Sequence, residues 1–269
     1  MECALAVTEP KRFSGLGEAR DRRHELLCRE EDLRLERLFS PAERDQAFLL
    51  RHRLFAETLH WVPEHPSGRE VDEYDGCTEM IGILDGRRRL LGQVRMHPCS
   101  APFMIEREFA SVLGRSPIPC KDRDTAEATR FGLEPDARAR LVRTDYGRFD
   151  LFTLLLKGIY RWCQVQGART LFAVVDTRMF RLVRVRGFPF AALAEPRSMP
   201  DGVVAVAIRL DWEQFLDENR RRRPGLLAWF EQETGGSRPL AFGLREVPAG
   251  PISVPWPQPE AGSLHPVSA

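Results

Sequence analysis

The chain has 269 residues, 43% of them hydrophobic and 29% charged, which is ordinary for a globular protein that buries a core. A formal net charge of +1 sets up no global field for nucleic acid or an anionic membrane. No stretch approaches twenty apolar residues and the charged first thirty lack the apolar core of a secretory signal, so the cytoplasm is the expected compartment. Lysine occurs only at Lys11, Lys121 and Lys157, and the remaining positive charge is arginine. Six cysteines lie scattered without CxxC spacing, which predicts reduced thiols and neither a disulfide framework nor a zinc site.

Residues 1–39 are polar and weakly periodic and read as an extension, with a short helix over Asp32–Leu38. The central part, 40–217, carries the fold. Ser40-Pro41-Ala42-Glu43 has the form of a capping box with proline at the first helical position, and Ala47, Phe48, Leu50, Leu54, Phe55 and Leu59 follow at helical spacing. An acidic loop, Glu70 to Asp75, comes next. Thr78–Leu84 and Leu90–Met96 flank Asp85-Gly86 and predict a hairpin. Pro102–Leu113 reads as helical, Thr125–Leu133 as a strand, and Leu151–Gln166 as a strongly apolar helix stopped by Gly167. Thr170–Val175 reads as a buried strand, Arg178–Arg186 as a helix and Val203–Leu210 as a last strand. A further helix starts at Trp212, breaks at Arg220–Pro224 and resumes over Leu226–Phe230, so 218–269 is a C-terminal helix and an irregular tail rich in proline and glycine. This order predicts one mixed α/β sheet with helices on both faces.

Charged side chains in half-buried strands are costly unless paired. Arg95 ends one apolar strand, and Glu127 and Arg130 sit in another. With Asp72 and Asp75 they form either a structural ion-pair network or a polar cleft for a zwitterion. Glu127 and Arg130 are three apart, so in a regular strand they face opposite sides. Both reach one cleft only if the strand is irregular within Glu127–Phe131. His97 reads as structural.

The run Arg51-x3-Phe55-x5-Trp61-x10-Asp72-x2-Asp75, followed by Arg95, Phe109, Glu127 and Arg130, resembles the acyl-homoserine-lactone synthases, the autoinducer synthases of quorum sensing. Glu127-Ala128-Thr129-Arg130-Phe131 is similar to the family's Glu-x-Ser-Arg-Phe signature, with Thr129 in place of the usual serine. The resemblance covers about 45–215. It implies a GNAT-like acyltransferase fold, α/β, whose sheet splays into a V-shaped cleft where the pantetheine arm of an acyl carrier protein or coenzyme A inserts like an extra strand. It implies a reaction in which the amine of S-adenosylmethionine attacks an acyl thioester. The methionine carboxylate then closes the lactone and expels methylthioadenosine. No cofactor or metal is implied, because both reactants are substrates. Under this resemblance Glu127 is the base, Asp72 and Asp75 suit the cationic groups, and Arg95 or Arg130 suits the carboxylate. Trp61 faces the sulfonium or adenine. Arg51 orders the covering loop, and Phe55 and Phe109 wall the site. Phe172, Val174, Met179, Leu182 and Phe188 are the candidate acyl pocket. The rival reading is a GNAT-like N-acyl amino acid synthase that forms the amide without the lactone.

Overall fold

A computed structural model describes residues 26–117, 119 and 121–232. The rest of the N-terminal extension and the tail from 233 lie outside the described residues. The chain runs through β1 (Leu26–Glu30), β2 (Leu33–Arg37), α1 (Pro41–Arg51), β3 (Glu79–Leu84), β4 (Leu90–Pro98), α2 (Ala110–Leu113) and β5 (Thr125–Leu133). It continues through β6 (Leu141–Thr144), β7 (Gly147–Asp150), α3 (Leu151–Gln166), β8 (Thr170–Asp176), α4 (Thr177–Val185), β9 (Ala191–Ala192), β10 (Arg197–Ser198), β11 (Val204–Asp211), α5 (Trp212–Arg222) and α6 (Pro224–Glu231). The main sheet has the order β1-β2-β3-β4-β5-β8-β11-β10, with β9 also on β11. All its pairings are antiparallel except β5 with β8.

That one parallel pairing positions the site. It runs only from Thr125↔Thr170 to Glu127↔Phe172, although both strands go on for several residues. Beyond Glu127 the sheet splits, and the facing backbone groups of β5 and β8 border a V. Helices cover both faces, as expected. On one face α1 packs its Ala47, Leu50 and the following Leu54 and Phe55 on Met80, Leu84 and Leu90. On the other, Leu154, Leu155, Ile159 and Trp162 of α3 pack with Ile81, Ile83, Val94 and Met96, joined by Trp212, Phe215, Trp229 and Phe230 from α5 and α6. Nearly every residue of α3 is buried because it lies between the sheet and the C-terminal helices.

The capping box of Ser40 and Glu43 is present at the start of α1. The helix then widens into a π-helical stretch, His52–Thr58, which carries Phe55. Two expectations fail. Asp32–Leu38 is the turn and second strand of a hairpin at the sheet edge, not a helix. Leu33 and Leu35 point inward while Arg34 is half-buried, a period of two that the charged residues mask. Pro102–Leu113 forms only a 3-10 turn at Met104–Glu106 and the single turn of α2. The β3–β4 hairpin forms, but it closes Asp85 N–H on the Arg89 carbonyl, and the positive φ falls on Arg88 instead of Gly86.

Lys157 of α3 is fully buried. Its Nζ donates to Glu30 Oε1 at 2.6 Å, the same oxygen that accepts from Trp229 Nε1 at 2.7 Å. One carboxylate thus ties β1, α3 and α6 together. Lys157→Met leaves Glu30 buried without its salt-bridge partner and is expected to destabilise the fold by about 3–5 kcal/mol, read as a lower urea midpoint at unchanged slope.

Candidate active site

The site begins with cross-strand pairs between β4 and β5. Arg95 lies opposite Thr129 and His97 opposite Glu127, so all four side chains leave the sheet on the α1 face. Arg95 Nε donates to Thr129 Oγ1 at 3.0 Å. His97 Nδ1 lies 2.9 Å from the Pro102 carbonyl, which can only accept, so the ring hydrogen sits there. Nε2 therefore accepts from the Thr129 hydroxyl at 2.9 Å. This chain fixes a neutral imidazole. Burial, with Arg95 nearby, pushes the His97 pKa down to about 3, so the ring stays neutral across the working pH range.

Arg130 reaches the same face by the predicted irregularity. Between Gln93↔Gly132 and Arg95↔Thr129, β5 has one residue more than β4, and Arg130 takes φ 55°. This is a β-bulge with a non-glycine residue in the left-handed region, a conformation that costs about 1–3 kcal/mol unless its surroundings hold it. Here Glu70 and Asp72 hold it. Arg130 Nε and Nη2 donate to Glu70 Oε1 at 3.1 and 2.8 Å, and Nη2 to Asp72 Oδ2 at 3.2 Å. The bulge turns Arg130 toward the acidic segment and Phe131 toward Phe152 on the other face, with ring centroids 4.9 Å apart.

The acidic loop is an ordered structure. Asp72 caps the 3-10 turn Glu73–Gly76, accepting from Tyr74 N–H at 3.0 Å, and Asp75 Oδ2 accepts from Asp72 N–H at 2.9 Å. Arg51, fully buried at the end of α1, forks onto Asp75 with Nη1 at 2.6 Å and Nη2 at 3.1 Å, and its Nε donates to Glu70. Arg95 Nη1 donates to Asp72, and to Asp75 at 3.1 Å. Three guanidiniums and three carboxylates therefore form one network, and the arginines hold the carboxyls of Glu70 and Asp75 below the usual range against the opposing effect of burial. Arg51, Asp72, Asp75, Arg95 and Arg130 come together as the sequence suggested. Glu70, part of the acidic loop but not singled out, joins Arg51 to Arg130. Its signal was the spacing from Asp72, which carries it back beside the end of α1.

Glu127 is fully buried. Its Oε2 accepts from Met104 N–H at 2.5 Å and its Oε1 from Ile105 N–H at 2.9 Å, both on the 3-10 turn. Those bonds favour the carboxylate, but burial outweighs them and pushes the pKa up to about 8. Phe55, Trp61, Met104, Phe109, Glu127, Thr129 and Arg130 line a cleft of about 480 Å³ that is closed across the V by Val174–Asp176 and Met199–Val203. Trp61 is held by its N–H to the Phe55 carbonyl at 2.8 Å and lies 6.0 Å from the Phe55 ring. The Arg130 guanidinium sits 5.6 Å over Phe55. Arg51, Asp72, Asp75 and Arg95, expected on the substrate cleft, are not among the residues that line it.

A second cavity, about 490 Å³, opens on the α3 side and meets the first at Phe55, Trp61, Thr129, Arg130 and Val174–Asp176, where the sheet splits. Its walls are largely apolar, with Phe131, Phe152, Leu156, Ala173 and Phe190 among them. Of the five candidate acyl-pocket residues, Val174, Met179 and Leu182 line it. Phe172 and Phe188 do not. Phe172 packs on Phe103 at 6.4 Å, because it shares the face of Glu127, and Phe188 stacks on Phe215 at 4.9 Å in the core.

The sequence pattern of the autoinducer synthase family matches residues 36–221. The acyl-homoserine-lactone synthase of Aeromonas hydrophila is 27% identical over 182 residues, covering 67% of this chain and 84% of that protein. The isovaleryl-homoserine lactone synthase of Bradyrhizobium diazoefficiens is 29% identical over 154 residues, 56% of this chain and 65% of that protein. Among solved structures, a CoA-dependent acyl-homoserine lactone synthase with MTA superposes with a TM-score of 0.57 at 26% identity, over 71% of this chain and 81% of that one. The same enzyme has been solved with SAM and isopentyl-CoA. The mixed α/β sheet, its split and the helices on both faces are the fold this chain shares with that enzyme. The chain belongs to the autoinducer synthase family.

Proposed function

We propose that the protein is an acyl-homoserine-lactone synthase that joins an acyl group, delivered as a thioester of coenzyme A or an acyl carrier protein, to S-adenosylmethionine. The observation that carries this reading is the meeting of two cavities at the split of the sheet, the first of them lined by Glu127. The first cavity is lined by Glu108, Glu127, Asp176 and Asp201 against Arg130 alone. That balance suits a substrate with an ammonium, a sulfonium and a single carboxylate. The second is apolar and suits an acyl chain. Between them, the backbone edges of β5 and β8 beyond Glu127 and Phe172 offer amide groups to an extended pantetheine arm.

In this reading S-adenosylmethionine occupies the first cavity with its carboxylate on Arg130. Among the described residues Nη1 of Arg130 meets Met104 Sδ alone, at 3.9 Å, and so keeps donors for a ligand. Arg95, fully buried, orients Asp72 and Thr129. Trp61 and Phe55 face the adenine or sulfonium, and Phe109 closes the wall. Glu127 takes the amine proton, directly or through a water. A carboxylate with a pKa near 8 is a stronger base than an ordinary one, and each oxygen keeps a lone pair besides the one used by the backbone. The amine attacks the thioester carbonyl, the carbon–sulfur bond breaks, and the thiol leaves with the proton. The freed carboxylate oxygen then attacks the γ-carbon, the carbon–sulfonium bond breaks, and methylthioadenosine departs neutral. No other cofactor enters the reaction. No helix among the described residues is long and apolar enough to cross a membrane, and the cytoplasm supplies both substrates.

Purified protein is to be incubated with S-adenosylmethionine and acyl-CoA or acyl-carrier thioesters of straight, branched and aromatic acids, with products followed by mass spectrometry. Methylthioadenosine and acylated lactone are expected in equal amounts with at least one donor. Amide without methylthioadenosine would establish the N-acyl amino acid synthase instead, and no product with any donor sinks both.

A further inference from the structure

The carboxylates that the sequence offers to the substrate's cationic groups are already committed within the protein. Asp75 takes the fork of Arg51, the Asp72 N–H and Arg95. Asp72 takes Arg95, Arg130 and the Tyr74 N–H, and Glu70 takes Arg51 and Arg130. Three arginines neutralise these three carboxylates. Glu127 has both oxygens on backbone N–H groups and is raised toward neutrality. The counter-charge must come from elsewhere in the cavity, and the remaining carboxylates on its walls are Glu108, Asp176 and Asp201. Asp176 is the N-cap of α4, accepting from Met179 N–H at 2.7 Å, and Asp201 accepts from Val203 N–H at 3.0 Å in an exposed turn across the V. Glu108 differs. It stands between Met104 and Phe109 on the wall that carries the two N–H donors to Glu127. The hydroxyl of buried Tyr74 donates to its Oε2 at 2.5 Å. Tyr74 itself lies between Asp72 and Asp75, with Arg95 5.4 Å over its ring and the His97 ring tilted against it at 5.4 Å. Glu108 Oε1 has no protein partner among the described residues.

We infer that Glu108, aimed by Tyr74, is the carboxylate that binds the cationic part of the sulfonium amino acid, while Asp72 and Asp75 shape the site without touching it. The inference rests on the functional reading above. Glu108→Gln keeps an acceptor for Tyr74 and removes the charge. Calorimetric titration of the donor-free protein is expected to show Kd for S-adenosylmethionine rising about fivefold to tenfold, between the effect of an exposed ion pair and that of a charged hydrogen bond. Kd for methylthioadenosine, which carries neither charge, is expected to stay within twofold. Tyr74→Phe, which frees Glu108 without neutralising it, is expected to give a smaller loss for the charged ligand alone. Equal weakening of both ligands in E108Q marks a structural role and overturns the inference, as does unchanged binding of both. A loss confined to Asp176→Asn or Asp201→Asn overturns it too. A wild-type protein that binds no S-adenosylmethionine overturns the functional reading and this inference together; one that binds it and loses nothing in E108Q overturns the inference alone.

Discussion

Glu127→Gln is expected to lower kcat by about 10²–10⁴-fold with little change in Kd for either substrate. The carboxylate is buried, has a raised pKa and lines the first cavity. Glutamine fills the same space and can still accept from Met104 or Ile105, so the loss reports the proton transfer. The pH dependence assigns it. Glu127 must be ionised to act and its pKa in the free protein is about 8, so kcat/KM rises with pH and levels off above that value. His97 lies 3.9 Å from Glu127 Oε2 but has its pKa near 3 and cannot give such a profile. The same shift acts on stability with the opposite sign. The folded state holds the Glu127 proton more tightly than the unfolded state does, so this group favours folding at low pH and its contribution is lost as pH rises from 4.5 to about 8. Activity and this part of stability run in opposite directions. A wild-type profile that E127Q reproduces at reduced height would show that another group is the base.

Arg51→Met is expected to destabilise the protein by about 3 kcal/mol. Removing one partner of a buried pair costs about 3–5 kcal/mol, and here Glu70 keeps Arg130 and Asp75 keeps Arg95, which places the loss at the lower end. For a protein of this size that is a Tm lowered by about 6–12 °C. A methionine follows the path of the arginine stem, so the packing loss is small and the change isolates the charge. The double variant with Glu70→Gln is expected to be more stable than the sum of the single changes, because the carboxylate stranded by the first is gone in the second. Strict additivity would show that Arg51 and Glu70 are not coupled as their hydrogen bond indicates.

The site was more legible in the sequence than its scaffold. Charged residues that recur in apolar strands need partners, and that requirement pointed to Arg95, Glu127 and Arg130. The bulge at Arg130 followed from asking how Glu127 and Arg130 could share a face; the left-handed position itself is an arginine, not a glycine. What stayed hidden depends on distant contacts. Glu70 reads like any loop acid until α1 brings Arg51 beside it. Phe172 and Val174 share one face of β8 by alternation, yet Phe172 meets Phe103 while Val174 lines the V, since the split begins between them. The hairpin of β1 and β2 escaped notice because its turn contains no glycine and Glu31 itself takes φ 51°. The β6–β7 hairpin was also missed. It holds few apolar residues, and one of these, Phe149, is half-buried by stacking at 4.0 Å on Trp229, eighty residues further along the chain.

The lysine inside α3 also sets how small the enzyme can be made. The family pattern spans 36–221, but the acid that neutralises Lys157 and the indole that shares that acid lie at Glu30 and Trp229, beyond both limits. A fragment trimmed to the shared pattern would keep the cation and discard its anion in the middle of the main helix. Gene fusions and minimal expression clones of this protein should therefore keep residues 26–232 intact, so that Lys157 retains Glu30 and Trp229.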